Sequence, residues 1–224
     1  MIKTIPLCAL LALLTHSCAT ESHRTVETPT VATFGTQYSG PRHTLAIGRF
    51  ANSSPYMRGI FTDGDDRLGG QAKTILKTHL SQTNRFDLVD RANMAQLESE
   101  AALRGDTTDI AGAEYVLTGE VTEFGRKTTG DRQLFGLLGR GKKQFAYSKV
   151  SLNVVDVRTS RIVHSVQGAG EYELGNREVL GTGGTSGYDS TLNGKVLNLS
   201  ITDAVNKLVA DLESGMWGTP GDGQ

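Results

Sequence analysis

Cysteine is nearly absent from this 224-residue sequence, and the only two, Cys8 and Cys18, both fall within its first eighteen positions. The rest of the chain therefore has no disulfide, no cysteine metal site and no thiol nucleophile. Charge of one sign is also missing: 23 Lys and Arg face 24 Asp and Glu, a formal net charge of −1 that gives no electrostatic pull toward nucleic acid. Aromatic residues make up 6%, with a single Trp, while 38% hydrophobic content is enough to bury a core and excludes wholesale disorder. No apolar run is long enough to cross a bilayer as a helix; the longest, Ile5 to Leu14, falls short of the roughly 20 residues required. The five histidines, at 16, 23, 43, 79 and 164, show no metal-ligand spacing, and neither His-Glu-x-x-His nor Gly-x-Ser-x-Gly occurs. Gly181-Thr182-Gly183-Gly184-Thr185-Ser186-Gly187 lacks the Lys-Ser/Thr of a phosphate loop and reads as a mobile loop. The sequence thus points to no enzyme, no metal and no cofactor.

What is present begins with an export address. Lys3 followed by the short apolar run reads as a signal peptide over residues 1–17. Leu14-Thr15-His16-Ser17-Cys18 resembles a bacterial lipobox, with Ser17 in its small-residue position and Thr15 and His16 departing from the pattern. The resemblance implies cleavage before Cys18 and acylation of that residue with palmitate-type chains. Ala19, in place of an Asp that would retain the protein in the inner membrane, implies the periplasmic face of the outer membrane. The alternative is an ordinary signal peptide that releases a soluble periplasmic protein. Residues 18–43 are predicted to be the anchor and a flexible tether, because Thr20 to Arg42 is rich in Thr, Ser, Pro and Gly. These roughly 23 residues span about 25 Å as a random coil.

Residues 44–217 carry alternating and helical patterns of one domain, and residues 218–224 are predicted to be a disordered tail. Thr44 to Phe50 alternates as a first strand, with Leu45, Ile47 and Arg49 on one face. The acidic stretch Asp63, Asp65, Asp66 suggests a calcium loop but has Thr74 where the twelfth-position Glu belongs. Leu68 to Gln82 has the three- and four-residue spacing of an amphipathic helix. Phe86 to Val89 follows as a strand, and Asp90 caps a helix through Met94, Leu97, Ala101 and Leu103. Thr107 to Ala113 is predicted as a helical turn, Tyr115 to Phe124, Tyr147 to Val157 and Arg161 to Gln167 as strands, and Leu197 to Leu212 as a closing helix. The expected fold is α+β, an α/β sandwich. Its mixed sheet of four to five strands is packed by three helices and has glycine-rich hairpin loops.

Particular words in that order resemble the CsgG/HfaB family of curli and holdfast secretion lipoproteins, in a short subgroup. They are Thr44-Leu45-Ala46-Ile47 with Phe50, Leu68-Gly69-Gly70, Asn84-Arg85-Phe86-Asp87-Leu88-Val89-Asp90-Arg91, Ala113 to Val121, Val154 to Ser160, and Gly215-Met216-Trp217. Ser160 stands where the family pattern has Gly. Channel-forming members insert two β-hairpins per subunit, which the resemblance places at Phe124 to Ala146 and Gly168 to Asp189. Here those stretches are interrupted by Arg126, Lys127, Asp131, Arg132 and by Glu171, Glu173, Arg177, Glu178. A Lys or Arg facing mid-bilayer costs about 2–4 kcal/mol, so the chain reads as a pore-less or conditionally inserting relative. The basic, partly apolar stretch around Phe135, Leu137, Leu138, Arg140, Lys142 and Lys143 is the candidate contact with membrane headgroups or a partner.

The resemblance implies a homo-oligomeric outer-membrane lipoprotein of an envelope secretion or curli-type assembly and transport apparatus. Its partners would be other envelope lipoproteins or secreted subunits, with no nucleic acid. The alternative is a periplasmic regulatory lipoprotein that activates a peptidoglycan synthase or supports envelope integrity.

Overall fold

A computed structural model describes residues 28–56, 66–132, 140–177 and 191–218. The elements are β1 (His43–Asn52), α1 (Arg67–Thr83), β2 (Phe86–Val89), α2 (Met94–Arg104), β3 (Tyr115–Arg132), β4 (Arg140–Asp156), β5 (Ile162–Arg177) and α3 (Leu192–Glu213). The signal peptide, Cys18, the glycine-rich loop at 181–187, most of the predicted tail and the apolar tip at 133–139 lie outside the described residues. The five strands form one mixed sheet in the order β2-β1-β3-β4-β5. β1 runs parallel to both neighbours, and β3, β4 and β5 form an antiparallel meander. The fold is α+β.

Helices α1 and α3 supply the second layer. In α1, Leu68, Ala72, Leu76, His79, Leu80 and Thr83 are buried, a stripe at helical spacing that meets the sheet and α3. The Asp66 carboxylate caps this helix by accepting from Gly69 N–H at 2.8 Å and also accepts from Asn52 N–H at 2.7 Å. One side chain thus ties the end of β1 to the start of α1. His79 sits within the α1–α3 contact, bonded to Asn198 and Thr202 of α3. α3 buries ten residues, from Leu192 to Leu212. It approaches β5 closely because Gly168 and Gly170 offer no side chain there: a Cβ on Gly168 would lie 2.1 Å from the Ser200 carbonyl oxygen.

Four expectations are corrected. α2 forms where predicted, but Asn93 rather than Asp90 holds its N-cap position and none of its residues is buried. The four-residue edge strand β2 presents too little apolar surface to hold it. Thr107 to Ala113 is irregular rather than helical. In β1 the buried residue after Ile47 is Phe50, and Arg49 is exposed, because a register irregularity between Ile47 and Phe50 resets the alternation. Finally, residues 28–42 are not a loose tether throughout. Val31 is buried, Ala32 N–H donates to Asn206 Oδ1 of α3, and Arg85 bonds Thr36 and stacks on Tyr38.

Candidate partner-contact site

The strands of the meander run well past the layer of helices. The predicted ends at Phe124, Tyr147 and Gln167 give way to observed ends at Arg132, Arg140 and Arg177. Pairing continues unbroken from Phe124↔Ser148 to Arg132↔Arg140, and β5 follows β4 to Gly141↔Arg177. A three-stranded arm about 25 Å long therefore projects from the domain, and residues 133–139 lie between its strands β3 and β4 in the chain.

Some of the charged side chains on the ladder pair across it. Lys149 meets Glu123 at 2.7 Å, and Lys143 meets Glu173 at 2.7 Å. Arg126 donates to Gln144 in the neighbouring strand and to Asn193 at the start of α3, which ties the arm's root to the helix layer. Tyr147 lies across Gly125, where a Cβ would come within 2.3 Å of the ring. Such exposed ion pairs contribute at most about 1 kcal/mol each, so the backbone ladder carries the arm.

Of the predicted contact residues, Lys143 lies on the arm in β4, exposed and paired with Glu173. Arg140 and Lys142 belong to the same strand, opposite Arg132 and Gly130. Phe135, Leu137 and Leu138 fall in the stretch outside the described residues, as does Cys18. The arm thus gathers the basic members of the set on one strand.

At the opposite end of the sheet, Trp217 is buried after the end of α3. Its indole lies against Phe86, Tyr115, His43 and His164, with ring centroids 5.7–6.3 Å away, and its Nε1–H donates to the Leu208 carbonyl. His43 bonds Glu114 at 2.7 Å, and His164 bonds Asp211 at 2.8 Å. Both histidines are thereby engaged in closing the C-terminal segment onto β1, β3 and β5. Among the described residues no cluster of His, Cys, Asp and Glu has the arrangement of a metal site. No described helix is long and apolar enough to cross a membrane, which leaves strands out of account.

The family described as curli production assembly/transport component CsgG matches this chain over residues 36–220. The chain belongs to the CsgG family. A Neisseria meningitidis serogroup B protein bearing the lipoprotein name NMB1126/NMB1164 is 56% identical to this CsgG-family chain over 216 residues, covering 96% of it and 97% of the relative. Among solved structures, lipoprotein GNA1162 of Neisseria meningitidis matches at 14% identity with a TM-score of 0.36. That match covers 78% of this chain and 99% of the other. A PelC dodecamer from Paraburkholderia phytofirmans matches at 18% identity with a TM-score of 0.35, covering 76% and 93%. The family match takes in every element of the CsgG-type domain from β1 to α3 and also reaches into the 28–42 segment.

One surface of the CsgG-type domain escapes sequence reasoning. A cleft of about 170 Å³ lies between the end of β2, α2 and the irregular segment after it, lined by Val89, Arg91, Met94, Leu97 and Ile110. Leu103, expected on the apolar stripe of α2, falls on the side of the helix away from Met94 and is exposed. Asp90, at the cleft's margin, has its carboxyl lowered to about 2 by bonds from Lys77, Asn93 and the Ala92 N–H.

Proposed function

We propose that this chain is a lipoprotein, acylated at Cys18 and held on the periplasmic face of the outer membrane, that works as a homo-oligomeric component of an envelope secretion or assembly apparatus. The family match over residues 36–220 carries this reading, since it takes in the whole folded domain and the arm. The lipoprotein name of the 56% identical relative supports the anchor. The basic strand of the arm, with Arg140, Lys142 and Lys143, and the apolar tip Phe135, Leu137 and Leu138 are proposed to meet headgroups or partner subunits. The density of charge along the arm favours a pore-less member, because each Lys or Arg facing lipid would cost about 2–4 kcal/mol.

The test is metabolic labelling with a clickable fatty acid, together with light scattering on the mature protein in mild detergent. Wild type should carry label, fractionate with the outer membrane and run as a closed oligomer. Cys18→Ser should lose the label and become soluble. An unlabelled wild type would remove the anchor. A labelled monomer would turn the reading toward regulation of a peptidoglycan synthase, and conductance in planar bilayers would restore the pore.

A further inference from the structure

Along the meander, α3 covers one face of the sheet. Ala146, Ser148 and Val150 of β4 are buried on that side, with Ser148 Oγ 2.6 Å from Ser200 Oγ. On β5, Gly170 and Tyr172 meet Leu199 and Lys195 of the same helix. The residues that alternate with these point to the opposite face. At the root of the arm this sets Phe145 and Tyr147 two residues apart on β4, with Gly125 and Lys127 beside them on β3 and Glu171 and Glu173 on β5.

Tyr147 is 47% exposed. Its ring leans over Gly125, where Cε1, Cζ and Oη stand 2.3–2.8 Å from the position a Cβ would take, and its outer face is left to solvent. Glu123 on this face is neutralised by Lys149, and Glu173 by Lys143. Lys127 and Glu171 are exposed, and among the described residues neither has an ion-pair partner. They stand at opposite corners of the aromatic pair, about 12 Å apart from the spacing and rise of the strands.

A sheet face offers no backbone N–H or C=O, since these point within the sheet to neighbouring strands, so an extended peptide has no ladder to join here. What the face offers is ring surface, negative above its plane, with one ammonium and one carboxylate to either side. Its complement is a ligand of flat, C–H-faced rings that also carries a carboxylate and an amine. Pyranose rings present such a face, and glycan strands bearing short peptide stems add both charges.

We propose that Tyr147, with Phe145 beside it, is a stacking platform for peptidoglycan strands, with Glu171 holding an amine of the peptide stem and Lys127 a stem carboxylate. The inference rests on the periplasmic location read above and is independent of the oligomeric state.

Co-sedimentation of the purified, mature full chain with isolated sacculi in mild detergent tests this. Wild type should sediment with the sacculi. Tyr147→Ala should weaken binding about tenfold, and Tyr147→Phe, which keeps the ring, should leave it within about twofold. Glu171→Gln and Lys127→Gln change exposed side chains and should each weaken binding about two- to fivefold. Circular dichroism checks that every variant is folded. On sacculi stripped of their stems by an amidase, wild type should still bind and the two charge variants should match it. A wild type that does not sediment overturns the proposal, as does a folded Tyr147→Ala that binds like wild type. Glu171→Gln and Lys127→Gln that both bind intact sacculi like wild type overturn it without recourse to Tyr147→Ala. Binding lost entirely on stripped strands would assign the face to peptide and overturn the glycan. A wild type that ignores sacculi while a photo-crosslinker at position 147 captures an envelope protein would give the face to a protein partner instead. An unlabelled wild type that still binds sacculi would remove the anchor proposed above and leave this site standing.

Discussion

Replacing Gly168 with Ala tests how tightly α3 is pressed onto the sheet. The new Cβ would lie 2.1 Å from the Ser200 carbonyl oxygen, 2.4 Å from the Ala204 nitrogen and 2.8 Å from the Ala204 Cβ. Two of these neighbours are helix backbone, which cannot rotate away. Ordinary contact begins near 3.4 Å, so α3 must retreat by more than about 1 Å. A gap of that size forfeits a quarter to a half of the dispersion energy along the seam, where Val196, Leu197, Ile201 and Leu208 are fully buried. Overpacking of this kind costs about 1–3 kcal/mol and occasionally more. The reduced freedom of the unfolded chain returns about 0.4–1 kcal/mol. With backbone contacts this close the cost sits at the upper end of that range, so a net loss of about 2–2.5 kcal/mol is expected, equivalent to a fall of about 4–10 °C in Tm for a domain of this size. Gly70→Ala is the control: it sits in α1 with nothing within 4 Å of the added Cβ. It should gain about 0.5–1 kcal/mol from helix propensity. Urea unfolding followed by circular dichroism, on chains carrying Cys18→Ser, measures both. A Gly168→Ala protein as stable as its parent would refute the close approach of α3 to β5.

Three further outcomes follow from the same geometry. Trp217→Ala should cost about 3–5 kcal/mol as a buried large-to-small change, and Trp217→Phe only about 1 kcal/mol for the lost bond to Leu208; equilibrium unfolding separates the two. Arg85→Ala strips Glu213, Thr36 and Tyr38 of a buried guanidinium. It should release the 28–42 segment to limited proteolysis before the domain itself is cut, whereas simultaneous cutting would count against that segment being held from Arg85. Asp90 has its folded carboxyl at about 2 against an ordinary 3.8, so its stabilisation is present above pH 4 and disappears as pH falls through about 2. Asp90→Asn should therefore flatten the acid limb of the stability curve between those values, and an unchanged limb would assign it to other carboxylates.

The sequence revealed those parts of the fold whose determinants lie close together along the chain. Leu68, Ala72 and Leu76 announce α1, and Ile201, Val205 and Leu212 announce α3, because a helix's buried stripe recurs every three to four residues. Phe50 taking Arg49's expected place was hidden because a bulge is set by the partner strand, which no spacing within β1 reveals. The arm was hidden for a related reason. Lys143 and Glu173 look like interruptions when read in order, and become a cross-strand pair only once β4 and β5 are aligned. Charge clustering picked out Arg140, Lys142 and Lys143 as a group but not as part of a strand, because their pairing partners lie in other strands. The α2 surface went unnoticed because an amphipathic stripe reads the same whether it faces the sheet or a second molecule. Ser160 is the counter-case: it adopts a positive φ of 59°, the left-handed conformation for which the family pattern's Gly is suited.

The strap formed by residues 28–42 has a consequence for how the domain can stand on a membrane. Val31, Ala32 and Thr36 are held against α3 and Arg85, so about 13 residues separate Cys18 from the first fixed point of the domain. That many residues reach at most about 45 Å. If Cys18 is acylated as proposed, the domain would stay within about its own diameter of the lipid. Cyclic symmetry would also carry the strap's exit point to the same face in every copy. A closed oligomer of the kind proposed would then have all its anchors on one side and lie flat on the bilayer like a washer, with its axis along the membrane normal.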